Sequence, residues 1–254
     1  MFKSRRSAYL FMAAVVVIAG LLAVKVMFFP ENPRESAQSA AGSSASPSLS
    51  AVASSSVSVG ADGRAVCDVK VPAGKDFSAE VPEDYTWEKT AGGVRYPVSV
   101  VYGPTVKVGH TGQCFAHNPT GAAMAAINAM TVAGNREIPI SERRAIFSNR
   151  YEGKPDPWEG EDTDTSGVSA MVYAYSIAGY STERATIRVY MLSQYNGETV
   201  ATWVPVRMVW ENGDWRFDSE KSEIESETVS DDSQSPTQRF TVDPATLKEW
   251  GFKL

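Results

Sequence analysis

Two kinds of hydrophobic pattern divide the chain. From Ala8 to Val24 it runs without a charge, AYLFMAAVVVIAGLLAV, and after Lys25 the apolar run resumes through Phe29. The 22 residues from Ala8 to Phe29 are enough for a membrane helix, which needs about 20. Lys25, near the end of the run, can extend its ammonium to the headgroups. Lys3, Arg5 and Arg6 come first, so the positive-inside rule places residues 1–7 in the cytoplasm and everything after Phe29 outside. A cleaved secretory signal is the alternative, but this apolar core is long for one, and the nearest small-residue site lies at Ala37 to Ala40. Both routes put the remainder outside the cell.

Beyond Phe29 the hydrophobic pattern stops. Residues 36–58 hold 11 Ser and 6 Ala in 23 positions, too few large apolar side chains to make a core. Residues 30–60 therefore read as a disordered Ser/Ala linker, which at ~5–6 Å × √n holds a domain ~30 Å from the membrane.

A different pattern begins near Ala61 and predicts one domain over residues 61–218. Asp62-Gly63 reads as a turn, and CDVKV (67–71) as a short strand. Asn118-Pro119 opens a helix, GAAMAAINAMTVA, that ends before Gly134; Asn cap, early Pro and trailing Gly agree. Its many alanines make it thin enough to approach a sheet closely. A second helix is predicted from Ser141 to Tyr151, with Ile146, Phe147 and Tyr151 inward and Arg143, Arg144 and Arg150 on or near the opposite side.

Residues 168–179, 184–195, 198–211 and 214–218 are rich in Val, Tyr, Trp, Thr and Ile and read as strands. In the second, Ala185, Ile187, Val189 and Met191 alternate with Thr186, Arg188 and Tyr190, the half-buried pattern. Asn196-Gly197 and Asn212-Gly213 supply hairpin turns. Pro205 inside the third strand implies an edge or a bulge. Helices first and a long antiparallel meander last predict an α+β fold, a cone of helices packed on a curved antiparallel sheet, the order of the nuclear-transport-factor-2-like fold.

Residues 218–233 carry seven acids and one Lys, so 219–238 reads as a flexible acidic segment. DPATLKEWG (243–251) has the Asp, Pro and Gly of a short helix, making 239–254 an ordered C-terminal element. Leu247 and Trp250 either dock it on the domain or serve a partner.

Charge narrows the function. The first 30 residues hold four basic groups and no acid, leaving 20 basic and 30 acidic groups, a net of −10, on the other 224. That argues against a general nucleic-acid binder, which needs a basic footprint. Two Cys and two His are too few for a four-ligand zinc site made only of them, and exclude a disulfide-dense scaffold. Neither G-x-S-x-G nor H-E-x-x-H is present, so no enzyme activity, cofactor or metal is expected. Asp162, Asp164, Ser166 and Gly167 begin like a calcium loop, but position 12 is Tyr173 where a bidentate Glu is needed.

GQCFAHNPTGAAMAAINA (112–129), with Tyr96-Pro97-Val98 and Tyr102-Gly103-Pro104 upstream, is the most distinctive stretch. It resembles a poorly characterised family of actinobacterial extracytoplasmic proteins found with conjugative or integrative elements. The residues carrying the likeness are Phe115, Ala116, His117, Pro119, Gly121 and Ala122. The layout is also similar to the membrane-anchored, nuclear-transport-factor-2-like scaffold subunits of type IV secretion machines. These likenesses imply a single-pass, extracytoplasmic structural subunit of a conjugative transfer apparatus, with protein partners, self-association and no direct contact with nucleic acid.

The motif has two readings from its residue types alone. Asn118 and Thr120 can cap free helix N–H groups while Phe115 anchors in the core; alternatively, the helix N-terminus binds an anion beside His117. A further reading pairs His110 with His117 for acid–base work or metal binding. Trp203, Trp210 and Trp215 are core residues or line a pocket. A concave pocket near His117, Tyr173 and Trp203 would make the chain a ligand-binding or sensing module instead. Cys67 and Cys114, on the oxidising side, are candidates for a disulfide, with two separate buried thiols as the alternative.

Overall fold

The computed structural model describes residues 58–90, 92–133, 135, 137–154, 169–195, 198–218 and 236–252, all within one compact unit, Ser58–Leu254. The expected membrane span and most of the Ser/Ala linker lie outside these residues, as do Asn196-Gly197, the Asp162–Gly167 stretch and residues 219–235. Among the described residues no helix is long and apolar enough to cross a membrane.

The strands are β1 (Thr86–Lys89), β2 (Arg95–Val98), β3 (Val106–Val108), β4 (Thr111–Gln113), β5 (Ser169–Tyr180), β6 (Arg184–Tyr195), β7 (Glu198–Glu211), β8 (Asp214–Phe217) and β9 (Gln238–Arg239). The helices are α1 (Pro119–Ala133), α2 (Ile140–Arg144) and α3 (Pro244–Glu249), with a 3-10 turn at Asn149–Tyr151. The fold is mixed α+β. One sheet runs β1-β2-β5-β6-β7-β8, with β9 also paired to β5, and curls into a half-barrel; β3 and β4 form a separate hairpin.

The long strands form where alternation predicts them. β5, β6 and β7 pair antiparallel, and β6 and β7 stay in register from Arg184 opposite Val209 to Tyr195 opposite Glu198. Ala185, Ile187, Val189, Val206 and Met208 face inward and are buried, whereas Thr186, Arg188, Tyr190, Trp203 and Arg207 on the other face keep some exposure. Pro205 sits opposite Arg188 without a shift. On its other side β8 pairs only with Met208–Glu211, so Pro205 occupies an edge and its missing N–H costs no ladder bond. The irregularities lie in β5, at Val172/Ala174 and Ile177/Gly179, where bulges increase local twist. At the β7–β8 turn Asn212 and Gly213 both have positive φ, 53° and 80°, as a type I′ turn requires.

α1 is enclosed within the curl. Every residue of it except Met130 is buried, and it touches β2, β4, β5, β6, β7 and β8. A helix hydrophobic all round is a core helix, and its alanines let several strands approach at once. Met124 and Ile127 join Val172, Tyr175, Ile187, Val189, Trp215 and Phe217 in the core.

Three expectations are corrected. The second helix spans only Ile140–Arg144, because the chain then turns to pair with β8: Phe217 N donates to Ile146 O at 2.8 Å and Ser148 N to Phe217 O at 3.0 Å. Arg143 is not outward but buried, its Nη1 donating to Ala133 O at 2.9 Å. Residues 67–71 form no strand. The C-terminal helix docks at home: Trp250 meets Trp87 edge to face at 5.3 Å, and the Arg95 guanidinium lies 4.3 Å from its centroid. Asp243 caps this helix, accepting from Thr246 N at 3.0 Å.

Candidate functional site

The two sequence segments that carry the family resemblance meet in space. Ala116 N donates to Tyr102 O at 3.0 Å, and Thr105 N to Cys114 O at 3.1 Å. Gly103 has φ 104° and packs on Phe115; a Cβ there would stand 2.7 Å from Phe115 Cδ1. Asn118 Oδ1 accepts from Gly121 N at 2.7 Å, satisfying a free donor of the first turn of α1. Asn118 Nδ2 donates to Lys75 O at 2.9 Å, and Thr120 Oγ1 to Ser78 O at 2.8 Å. Phe115, Ala116, Asn118, Thr120 and Ala122 are all buried, and Pro119 and Gly121 with them. The amide that an anion would use at Gly121 is taken by Asn118, and the junction is a cap packed against loops.

A buried polar pair completes it. Asp214, the first residue of β8, accepts from Cys114 N, Phe115 N and its neighbour Trp215 N, each at 2.9 Å. Arg216 Nη2 lies 3.4 Å from Asp214 Oδ2, and Arg216 Nη1 donates to Ala145 O at 2.7 Å. Burial pushes the Asp214 carboxyl above its ordinary range, against the pull of Arg216 and the amide donors. Gln113 extends the network, accepting from Ala65 N and donating to Gly63 O, both at 2.9 Å.

Cys67 and Cys114 are bonded to one another, S–S 2.06 Å, 47 residues apart in sequence. Asp214 lies close to both sulfurs, but sulfurs in a disulfide are not thiolate ligands. The bond ties the stretch before β1 to the cap of α1. Replacing both cysteines with Ser is expected to cost about 2–4 kcal/mol by loop-closure entropy, read as a lower denaturation midpoint of the full chain in detergent.

The two histidines do not pair. His110 Nδ1 lies 3.0 Å from Glu142 Oε2, which also accepts from His110 N at 2.8 Å. The His110 amide is the first cause holding the Glu142 carboxyl below its usual range. His117 instead stacks on Trp210, centroids 3.8 Å apart and planes 5° from parallel, with Nε2 donating to Thr182 O. It is the exposed residue of an otherwise buried motif.

Nor do His117, Tyr173 and Trp203 form one pocket. Trp203 and Trp210 are seven positions apart on a strand paired without a shift, and an odd separation puts side chains on opposite faces. Trp210 and its partner Trp215 turn inward toward His117. Trp203 turns outward beside Tyr190, which meets Tyr173 edge to face at 6.2 Å.

An open cleft lies elsewhere, about 590 Å³ in volume, between the Ala61–Arg64 turn, the β3–β4 hairpin and α2. Arg64, Arg144 and Lys154 line it with Asp62, Glu142 and Glu152, so the two signs balance. Arg64 is pinned by Asn149 Oδ1 and by Phe147 O at 2.9 Å. The residue pattern does not mark this cleft, whose lining comes from four short segments, the turn, the hairpin, α2 and residues 147–154. Asp214 and Arg216 were also concealed, as an ordinary alternation in a four-residue strand.

No curated protein and no solved structure matches the chain. A family described as "Domain of unknown function (DUF8175)" matches residues 45–238. That match takes in most of the sequence, with the cap of α1, the disulfide and the long sheet inside it, and the chain belongs to this family.

Proposed function

We propose that the chain is a single-pass membrane protein whose extracytoplasmic domain is a structural and interaction subunit, working in a conjugative, type IV secretion-like apparatus. The supporting observation is the Cys67–Cys114 bond, because disulfides persist on the oxidising side of a membrane. It agrees with the basic N-terminus, the apolar run over 8–29 and the Ser/Ala-rich tether. The conjugative role is supported by the resemblance of residues 94–135 to proteins found with conjugative or integrative elements. The kinship proposed with nuclear-transport-factor-2-like scaffold subunits rests on layout: α1 and α2 before the curled antiparallel strands β5 to β8, with β1 and β2 ahead of them and β2 parallel to β5. The polar groups of the α1 cap are spent on one another, which suits a scaffold better than a catalyst.

The test is DNA transfer from donor cells that lack the protein, complemented with the full chain or with residues 61–254 exported without the anchor. Transfer that falls on deletion and returns only with the anchored chain supports the proposal. Transfer that is unchanged by deletion removes the conjugative reading.

A second reading, a cell-surface ligand-binding module, is favoured by the open cleft beside Arg64, Arg144 and Lys154. A ligand selective for the folded state raises stability by mass action. A rise in melting temperature with a member of a panel of small ligands, abolished by Arg144→Ala, would support it.

A further inference from the structure

The open cleft beside α2 sets an apolar contact next to a guanidinium. Ile140 and Arg144 both line it. They stand one turn apart on α2, so their Cβ atoms are about 5–6 Å from one another. Ile140 is a large apolar side chain left 39% exposed, and half-buried Val108 of the β3–β4 hairpin lines the same cleft. The volume, about 590 Å³, falls in the range of about 300–1,000 Å³ that takes small ligands.

The charges of the lining divide into engaged and open ones. Arg64 donates to Phe147 O, and Asp62 accepts from Arg64 N and faces Arg64 Nε at 3.7 Å. Glu142 is held by the His110 amide and ring. Arg144 Nη2 reaches Lys154 O at 3.5 Å, which brings Lys154 beside it. Among the described residues no carboxylate forms an ion pair with Arg144 or Lys154, and no cation forms one with Glu152. All three are exposed. Two open cations and one open anion therefore remain within the balanced total.

We propose, building on the ligand-binding reading of this cleft, that it takes short peptides with a free C-terminal carboxylate on an apolar residue and a free amino end. The carboxylate sits on Arg144 and Lys154, the apolar side chain on Ile140 and Val108, and the ammonium faces Glu152. A guanidinium matches a carboxylate through two parallel hydrogen bonds. An α-amino acid carries its carboxylate and side chain on one carbon, so a residue bound at Arg144 has its side chain within reach of Ile140. A simple anion would leave Ile140 and Glu152 unused, and an uncharged apolar ligand would leave all three open charges without partners. Exposed ion pairs are individually weak, so affinity depends on the carboxylate and the side chain together.

The test titrates the full chain in detergent by calorimetry with the tripeptide alanyl-alanyl-leucine, its C-terminal amide, its N-acetyl form and alanyl-alanyl-glycine. The free tripeptide is expected to bind, and its amide to bind about tenfold more weakly, the loss expected for hydrogen bonds to a charged group. Glycine in place of leucine is expected to cost about tenfold through lost apolar contact, and N-acetylation about threefold. Arg144→Ala is expected to weaken the free tripeptide to the level of the amide and to leave the amide unchanged, because losses at two interacting groups are not additive. Equal affinity of free tripeptide and amide for the wild-type chain overturns the proposal without any variant. An amide weakened by Arg144→Ala as much as the free tripeptide also overturns it. Binding of another small ligand, lost in Arg144→Ala, with no binding of the tripeptide overturns the peptide assignment alone. No binding by any member of the ligand panel overturns the ligand-binding reading with it.

Discussion

Asp214→Ala is expected to destabilise the domain by about 3–5 kcal/mol, the range for breaking a buried charge pair from one side. The loss is not one bond. Cys114 N and Phe115 N lose their acceptors, and each buried donor left unpaired costs about 1–3 kcal/mol. Arg216, 1% exposed, loses its counter-charge. Asp214→Asn keeps an oxygen for Phe115 N and Trp215 N but loses the acceptor of Cys114 N and leaves Arg216 uncompensated, so it is expected to fall between wild type and Ala. Denaturant titration of the full chain in detergent reads the difference as a shift in midpoint. A wild-type midpoint for Asp214→Ala would show that the three amides and the guanidinium find other partners.

Gly121→Ala is expected to be at least as damaging, at about 4 kcal/mol or more, the range reserved for strained or overpacked sites. A Cβ at Gly121 would stand 1.9 Å from Ala116 O, so backbone must move. The Ala116 carbonyl cannot retreat cheaply. It accepts from Asn118 N at 2.9 Å and from the buried Trp215 indole at 3.0 Å. Moving it would open the α1 cap and release Trp215 from the core. Gly179→Ala is the control, since a Cβ there meets nothing within 4 Å; its expected effect is within about 0.5 kcal/mol. The pair of variants, compared by thermal unfolding, separates close approach from a general loss of glycine.

These two sites differ in how legible they were in the sequence. Helix α1 was, because Asn118, Pro119 and Gly134 punctuate it and alanines fill it. The strands β5 to β8 were, because they are long β-branched and aromatic runs, with Asn212-Gly213 turning β7 into β8. β1 to β4 were not: each is three or four residues long, and pairing decides them rather than pattern. Residues 145–151 kept helical spacing but are held beside β8 by two backbone bonds, a tertiary effect that outweighs weak local propensity. His117, Tyr173 and Trp203 looked like one pocket because all are aromatic or polar and near the sheet. Only strand parity and the β5 bulge separate them, and parity cannot be applied until the pairing partner is known. Asp214 reads as the first residue of a short strand in sequence, and its role appears only when Cys114 is brought to it.

The account rests centrally on a domain held outside the cell by an N-terminal anchor. The most direct measurement expresses the full chain in cells whose wall has been removed, adds external protease, and separates membrane from soluble fractions. The account predicts that the chain sediments with membranes, that protease removes the domain while leaving cytoplasmic proteins intact, and that Cys67 and Cys114 resist alkylation until reduced. A soluble, protease-protected chain with both thiols open to alkylation would contradict it.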